Sequence, residues 1–289
     1  MGKETTIQWC DSTVNPTGFQ CDGCELWQPR KGIKICYAGR WAERIGGLGA
    51  FDQPIQLKPG RVAEAAKWSD LRGVVRNDKP WIPSIMPRLI FVGDMADTFS
   101  TGVPYEYLKN EVVQVIRSSK HIGLWLTKRP KLMAEFSTWI HAQFGCEWPD
   151  NLWAGTSVTT PERIFRIDQL YDVGNENTKR FVSFEPLLGQ TDWTDLKRKL
   201  RNWKTTKLFH WAIIGGDSAP YPKPFDLAGA SELIKILTDA GIEVFVKQLG
   251  AAPYHTPETV PGYFLPLKDK KGGDWNEWPS HFRIRNFPL

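Results

Sequence analysis

The chain has 289 residues, 41% hydrophobic and 24% charged, which is enough apolar material for one large core and an ordinary balance for a folded protein. No apolar h-region opens it and no apolar run nears the roughly 18 residues of a membrane span, so a cytoplasmic protein is the default expectation. The formal net charge of +5 suits a polyanionic partner without demanding one.

Met1–Thr6 fits the myristoylation pattern, which is short enough to match by chance. The first candidate strand is Thr6–Trp9, and a cysteine loop at 10–38 follows it. A stretch at about 46–88, broken by Pro54, Pro59, Pro80, Pro83 and Pro87, reads as an insertion. Six apolar runs come next: Leu89–Gly93, Ile122–Thr127, Leu152–Gly155, Arg180–Phe184, His210–Gly215 and Glu243–Val246. Their ends recur at intervals of 28 to 34 residues, the length of a strand, a crossover helix and two loops. The runs are continuous rather than alternating, as parallel strands buried on both faces should be.

Helices are predicted in the gaps. Residues 104–121 place Leu108, Val112, Val115 and Ile116 on one face. Thr160-Pro161-Glu162 is a helix start, with proline at the first helical position. Ala230–Ala240 carries Leu233, Ile234 and Leu237 and stops at Gly241. Residues from about 251 to 289 form a C-terminal extension. The whole predicts an α/β fold: a full or partial (β/α) TIM-like barrel of six to seven parallel strands, in a single domain over residues 1–289. Of the 14 tryptophans, Trp9, Trp125, Trp153 and Trp211 sit beside strand ends, where packing in the core is expected over stacking on a ligand.

In such barrels function gathers at the C-terminal ends of the strands. Those positions hold Asp11 and Asn15, Asp94 and Asp97, Thr127-Lys128-Arg129, Thr156 and Ser157, Ser183 and Glu185, Gly216-Asp217-Ser218, and Lys247 and Gln248. Turn and cap chemistry accounts well for Thr156, Ser157 and Gly216. It accounts less well for Lys128, Glu185 and Lys247, which abut buried runs and are expected to line a polar cavity.

Four of the five cysteines, Cys10, Cys21, Cys24 and Cys36, lie within the first 36 residues. In a reducing compartment such a cluster is a metal site rather than a disulfide framework. Four thiolates would suit structural zinc, with Cys10 as the fourth ligand. Three would suit a [4Fe-4S] cluster with one open iron. Spacing alone leaves both open.

Trp9–Pro16, Cys21–Trp27 and Cys36–Ala38 resemble the opening of a phage-associated, radical-SAM-like "three-cysteine-motif" family. The resemblance continues through Phe91–Phe99, Leu126–Pro130, Trp153–Val158, Phe181–Gly189, Trp211–Ser218, Val244–Gly250 and Gly272–Pro288. Family members typically carry Thr at the position of Cys10, and the spacing from Cys24 to Cys36 is longer here than in many of them. The resemblance implies a [4Fe-4S] cluster held by Cys21, Cys24 and Cys36, with Cys10 a bystander. It further implies S-adenosylmethionine cleaved to a 5′-deoxyadenosyl radical that abstracts hydrogen from a substrate. On that footing Asp94 or Asp97 would hold the methionine amino group and Thr156 and Ser157 the ribose, with Tyr37 also on the cofactor. Glu185, Lys128, Asp217 and Lys247 would face the substrate. A nucleotide or nucleic-acid base is the expected substrate, a reductase or flavodoxin-type protein the electron donor, and a phage-encoded protein a further partner in the host cytoplasm.

Two rivals stand beside this reading. One is a zinc-stabilised scaffold acting with a phage partner. The other is a hydrolase using Asp94, Asp97 and Glu185 around a divalent metal. Cys/His nucleophilic chemistry is the poorest fit, because the five histidines are scattered. The basic run Lys197–Lys204 offers phosphate contacts, although a solvated helix face is its commoner meaning.

Overall fold

Apolar runs with no polar alternation have to be covered on both faces, and parallel pairing achieves that. The computed structural model describes residues 2–188, 192–202, 208–255 and 262–289. Seven parallel strands follow one another across a sheet in chain order. They are β1 (Ser12–Val14), β2 (Leu89–Val92), β3 (Ile122–Thr127), β4 (Leu152–Ser157), β5 (Arg180–Phe184), β6 (Trp211–Gly215) and β7 (Glu243–Gln248). Every residue of β2, β4, β5 and β6 is buried. Among the described residues no pairing joins β1 to β7, so the sheet is open and the fold is α/β without a closed barrel.

Six of the seven strands lie where the apolar runs predict them; the first does not. Residues 6–9 form no strand, with a turn at Gln8 and Trp9, and β1 is the polar triplet Ser12-Thr13-Val14, paired with Ile90, Phe91 and Val92. Its burial is possible because its polar groups find partners: Ser12 Oγ donates to the Lys3 carbonyl and accepts from Arg88. Asp11 therefore precedes the first strand instead of following it. Its carboxylate takes Arg76 Nε at 2.7 Å, Arg76 Nη2 at 3.1 Å and the Leu89 amide at 2.8 Å. That corrects the expectation that Asp11 stands at the functional end.

Two compact units make up the chain: residues 1–156 with 172–179, and residues 157–171 with 180–289. In the first, Phe136 of the helix Pro130–Phe144 packs edge-on to Trp125, which stacks on Phe99 and Trp148. The helix expected at 104–121 is three consecutive helical segments, Tyr105–Leu108, Lys109–Val113 and Gln114–Ser118. The Pro-rich stretch at 46–88 contains the short turn Ala50–Asp52 and the helix Arg61–Ala66. The Glu111 carboxylate accepts from the Gly60 and Val62 amides at the start of that helix.

In the second unit the start predicted at Thr160 becomes the turn Pro161–Arg163 and then the helix Phe165–Tyr171. The helix Leu227–Asp239 is capped by the Asp226 side chain and ends before Gly241, whose φ is +71°. Trp211 sits among Phe181, Phe245 and Phe287. The C-terminal extension adds Pro253–His255 to Phe225–Asp226 and Tyr263–Phe264 in a three-stranded sheet. Arg285 is held among the rings of Phe245, Trp275 and Trp278, where burial pulls its pKa down to about 10. Trp9, Trp125, Trp153 and Trp211 are all buried, as expected of core residues. Within the helix Thr194–Asn202, Lys197 pairs with Glu232, Arg198 with Asp195 and Lys199 with Asp168, so this basic run is a paired helix face. Trp203 and Lys204, like Met1 and Gly189, lie outside the described residues. No helix among those residues is long and apolar enough to cross a membrane.

The Asp11–Arg76 pair fastens the Pro-rich stretch to the N-terminal ends of β1 and β2, with both side chains under one-tenth exposed. Arg76→Met leaves a buried carboxylate without its cation and should cost about 3–5 kcal/mol of stability in urea unfolding. An unchanged midpoint would show that the pair does not anchor this segment.

Candidate functional site

The cysteine loop leaves the C-terminal end of β1 and folds back on a small apolar cluster of its own. Trp27, Ala42 and Phe51 form that cluster, with Phe19, Cys21, Cys36 and Ala38 packed against it. Trp27 donates from Nε1 to Asp52 at 2.6 Å, and its ring lies 4.5 Å from that of Phe51. Helix α1 (Tyr37–Gly46) begins directly after Cys36 and comes close to Trp27 because residue 39 is glycine. A Cβ there would fall 2.2 Å from the Trp27 ring. Gly23, between the first two cysteines, has φ +78°, the left-handed turn that lets Cys21 and Cys24 share one bend.

The three thiols are free and half-buried. Burial pushes the Cys36 thiol up; the Gly39 amide and the Lys128 ammonium pull it back, and Cys24 and Cys21 push it further up. The three cysteines and Lys128 are thus near enough to feel one another's charge. Cys24 Sγ accepts from the Leu26 amide at 3.4 Å, and Cys21 Sγ accepts from Ser100 Oγ at 3.5 Å. Cys10 stands elsewhere: it is fully buried, its carbonyl accepts from Lys79, and β1 separates it from the loop by roughly 10 Å of extended backbone. Among the described residues no group of three or more His, Cys, Asp or Glu side chains is drawn together as a metal-holding set. The donors themselves fit a three-thiolate cluster: soft ligands from one loop, an apolar backing and cations at the rim. A closed zinc tetrahedron would need a fourth donor, and Cys10, which precedes β1, is not on the loop that carries the other three thiols.

Arg129 holds this loop to the strand ends; the sequence places it after the third strand but assigns it no role. Its guanidinium donates to the Gly23 carbonyl at 3.0 Å and to Ser100 Oγ at 3.3 Å, and pairs with Asp97 at 3.3 Å and Asp22 at 3.4 Å. Burial opposes its charge, but Asp97, Asp22 and Cys21 together raise its pKa. Asp22, also unforeseen, accepts from the amide and hydroxyl of Thr101. Burial works against its charge too, yet hydrogen bonds from Ser100 and Thr101 and the Arg129 charge lower its pKa. The signal for both was present, as an acid inside the CxxC and an arginine after β3, but nothing in the spacing says that they meet.

The two aspartates after β2 divide in role. Asp97 accepts from the Phe99 amide, Thr127 Oγ1 and the Lys128 amide, so its oxygens are committed to the protein. Asp94 accepts from Asn15 Nδ2 at 2.6 Å, and burial raises its pKa. Thr156 and Ser157 are both buried, and the Thr156 hydroxyl donates to the Thr127 carbonyl. Tyr37 is exposed and stacks on Trp41, on the face of α1 away from Trp27.

In the second unit Lys247 donates to Glu185, and both side chains are mostly buried. The register shift between Val246 and Gln248 leaves Lys247 as the extra residue of β7, a bulge of the kind that re-aims a side chain. Gly215 leaves room for Glu185, because a Cβ there would lie 3.1 Å from its Cγ. Asp217 is buried, and its oxygens accept from the Ala219 and Lys223 amides, which shapes the loop after β6.

Residues 4–275 match the family described as "Protein of unknown function (DUF5131)". The chain belongs to that family. No curated protein and no solved structure matches the chain.

Two expected outcomes follow from the thiol environment and the clamp. Cys36 is held protonated at neutral pH, so mass-resolved alkylation should label it slowly and speed up only above the ordinary thiol range. Lys128→Met, which removes a nearby cation, should slow it further. Arg129→Gln should expose the 21–36 loop to limited proteolysis while urea unfolding of the whole chain shifts by no more than about 1–3 kcal/mol. Unaltered cleavage would mean that the loop is held without it.

Proposed function

We propose that this protein is a radical-SAM-like iron–sulfur enzyme that acts on a nucleotide or a nucleic-acid base. The observation that supports the reading is that Cys21, Cys24 and Cys36 stand on one loop, with Cys21 and Cys36 packed on the same apolar cluster and Cys36 within reach of the charges of Cys21, Cys24 and Lys128, while Cys10 precedes β1. These three cysteines would hold a [4Fe-4S] cluster. Once reduced by an electron donor, such a cluster would supply the one electron that splits S-adenosylmethionine into methionine and a 5′-deoxyadenosyl radical.

The chain's own residues have separable tasks. Lys128, near Cys36, favours the thiolate needed for ligation. Arg129 keeps the loop against the ends of β2 and β3 by bonding Gly23 and pairing with Asp97. Asp94 is the carboxylate assigned to an ammonium: it accepts from the side chains of Asn15 and Thr13, and burial raises its pKa above the ordinary carboxylate value. A ligand cation beside it would restore the charged form. In the second unit Glu185 and Lys247 share a hydrogen bond, a pair able to hold or pass a proton. Asp217 shapes its loop instead, since both its oxygens accept from backbone amides.

Protein purified without oxygen should carry about four iron and four sulfide per chain, with broad visible absorbance. Cys10→Ser should retain them, and Cys21→Ser, Cys24→Ser or Cys36→Ser should lose them. Asp94→Asn should keep the iron but weaken S-adenosylmethionine binding about tenfold or more in calorimetry. One zinc per chain that Cys10→Ser releases would defeat the reading.

A further inference from the structure

Helix α1 has one face devoted to the cysteine loop and another that the chemistry proposed above leaves unused. Gly39 and Ala42 turn inward, where Trp27 and Phe51 meet them. At about 3.6 residues per turn, Tyr37, Arg40, Trp41, Arg44 and Ile45 fall together on an arc of roughly 140° on the opposite side. That face is exposed, with Tyr37 at 68%, Trp41 at 38% and Ile45 at 64%. The rings of Tyr37 and Trp41 lie near-parallel, centroids 6.5 Å apart and planes 19° from one another. The Arg44 guanidinium stands 5.6 Å from the Trp41 ring.

The cations of this face are Arg40 and Arg44, both exposed, whereas Lys34 lies over the Trp27 ring on the inner side and pairs with Asp52 and Glu43. Beyond the end of α1 a surface hollow of about 580 Å³ opens, lined in part by Leu48, Ile55 and the carboxamides of Gln20, Gln53 and Gln56. Flat rings, interleaved cations and an adjoining hollow with amide groups are what a chain of bases on a phosphate backbone requires.

We infer that the outer face of α1, with the hollow beyond it, is a docking surface for single-stranded nucleic acid. The paired rings offer one aromatic surface to bases, and Arg40 and Arg44 on the same arc serve the phosphates. A duplex keeps its base faces stacked inside and has nothing to lay on Tyr37 and Trp41, so the single strand is the favoured form. A membrane is a poor occupant, because the cations stand among the rings of this face and the helix has only ten residues. The inference deepens the proposed function by naming how substrate is gripped. It rests on the nucleic-acid part of that reading and not on the cluster.

The test is fluorescence anisotropy of a labelled oligo-dT of about 15 nucleotides against the full metal-free chain, across a salt series. Binding should weaken with salt, and a duplex of equal length should bind far more weakly. Tyr37→Ala with Trp41→Ala should reduce oligo-dT affinity about tenfold or more, while urea unfolding shows the protein still folded. Arg40→Gln with Arg44→Gln should flatten the salt dependence by about one to two ions. Equal affinity of the ring variant and wild type, or equal affinity for duplex and single strand, would overturn the surface. So would absence of binding together with a concentration-dependent dimer that Trp41→Ala dissolves, because the occupant would then be a second copy. Oligonucleotide binding by a protein that never takes up iron would leave this inference standing and sink the cluster. A loaded cluster with no oligonucleotide binding would do the reverse.

Discussion

One carboxylate organises the first unit's working end. Asp97 receives the Thr127 hydroxyl and the Lys128 amide from the end of β3 and the Phe99 amide from its own loop, and it faces the Arg129 guanidinium. Arg129 passes that order outward to Gly23, Asp22 and Ser100. The cysteine loop is thereby tied to the sheet through a few charge-assisted contacts, which are stronger and more directional than neutral ones. Where the three thiols stand is set by this clamp on one side and by Trp27 and Phe51 on the other. A clamp of this kind also explains why a residue expected to hold a ligand is better placed to hold the protein.

The fold was legible where its physics was hydrophobic. Strands such as Leu89–Val92 and Trp211–Gly215 are buried on both faces and announce themselves as apolar runs. The first strand was illegible for the same reason: Ser12 and Thr13 are polar, and they are buried because Lys3 and Arg88 satisfy Ser12 from distant parts of the chain. A rule that looks for apolar residues places the strand at Ile7 and Trp9 and puts Asp11 at the wrong end. In the site, the cysteine spacing was local and could be read. The partnership of Arg129 with Gly23 spans 106 positions of sequence and could not.

Burial also sorts residues that a sequence lists as equals. Asp94 and Asp97 follow the same strand three positions apart, yet Asp97 is bonded by the Thr127 hydroxyl and the Lys128 amide while burial raises the pKa of Asp94. In the second unit the bulge that aims Lys247 at Glu185 is a one-residue irregularity within an otherwise regular apolar strand. Such irregularities tend to sit where a side chain has a task beyond packing.

The stretch between Cys24 and Cys36 is built as a narrow ribbon, Pro29–Arg30 against Ile33–Lys34, with Lys31 and Gly32 turning it at positive φ. Both ends are moored, by Trp27 on one side and by Cys36 and Ala38 on the other, to the same cluster. The tip can therefore grow or shrink like a hem, with the anchored thiols staying where they are. Lys31-Gly32 is accordingly the natural splice point for a reporter peptide, and a change in loop length there is a change of trim rather than of chemistry.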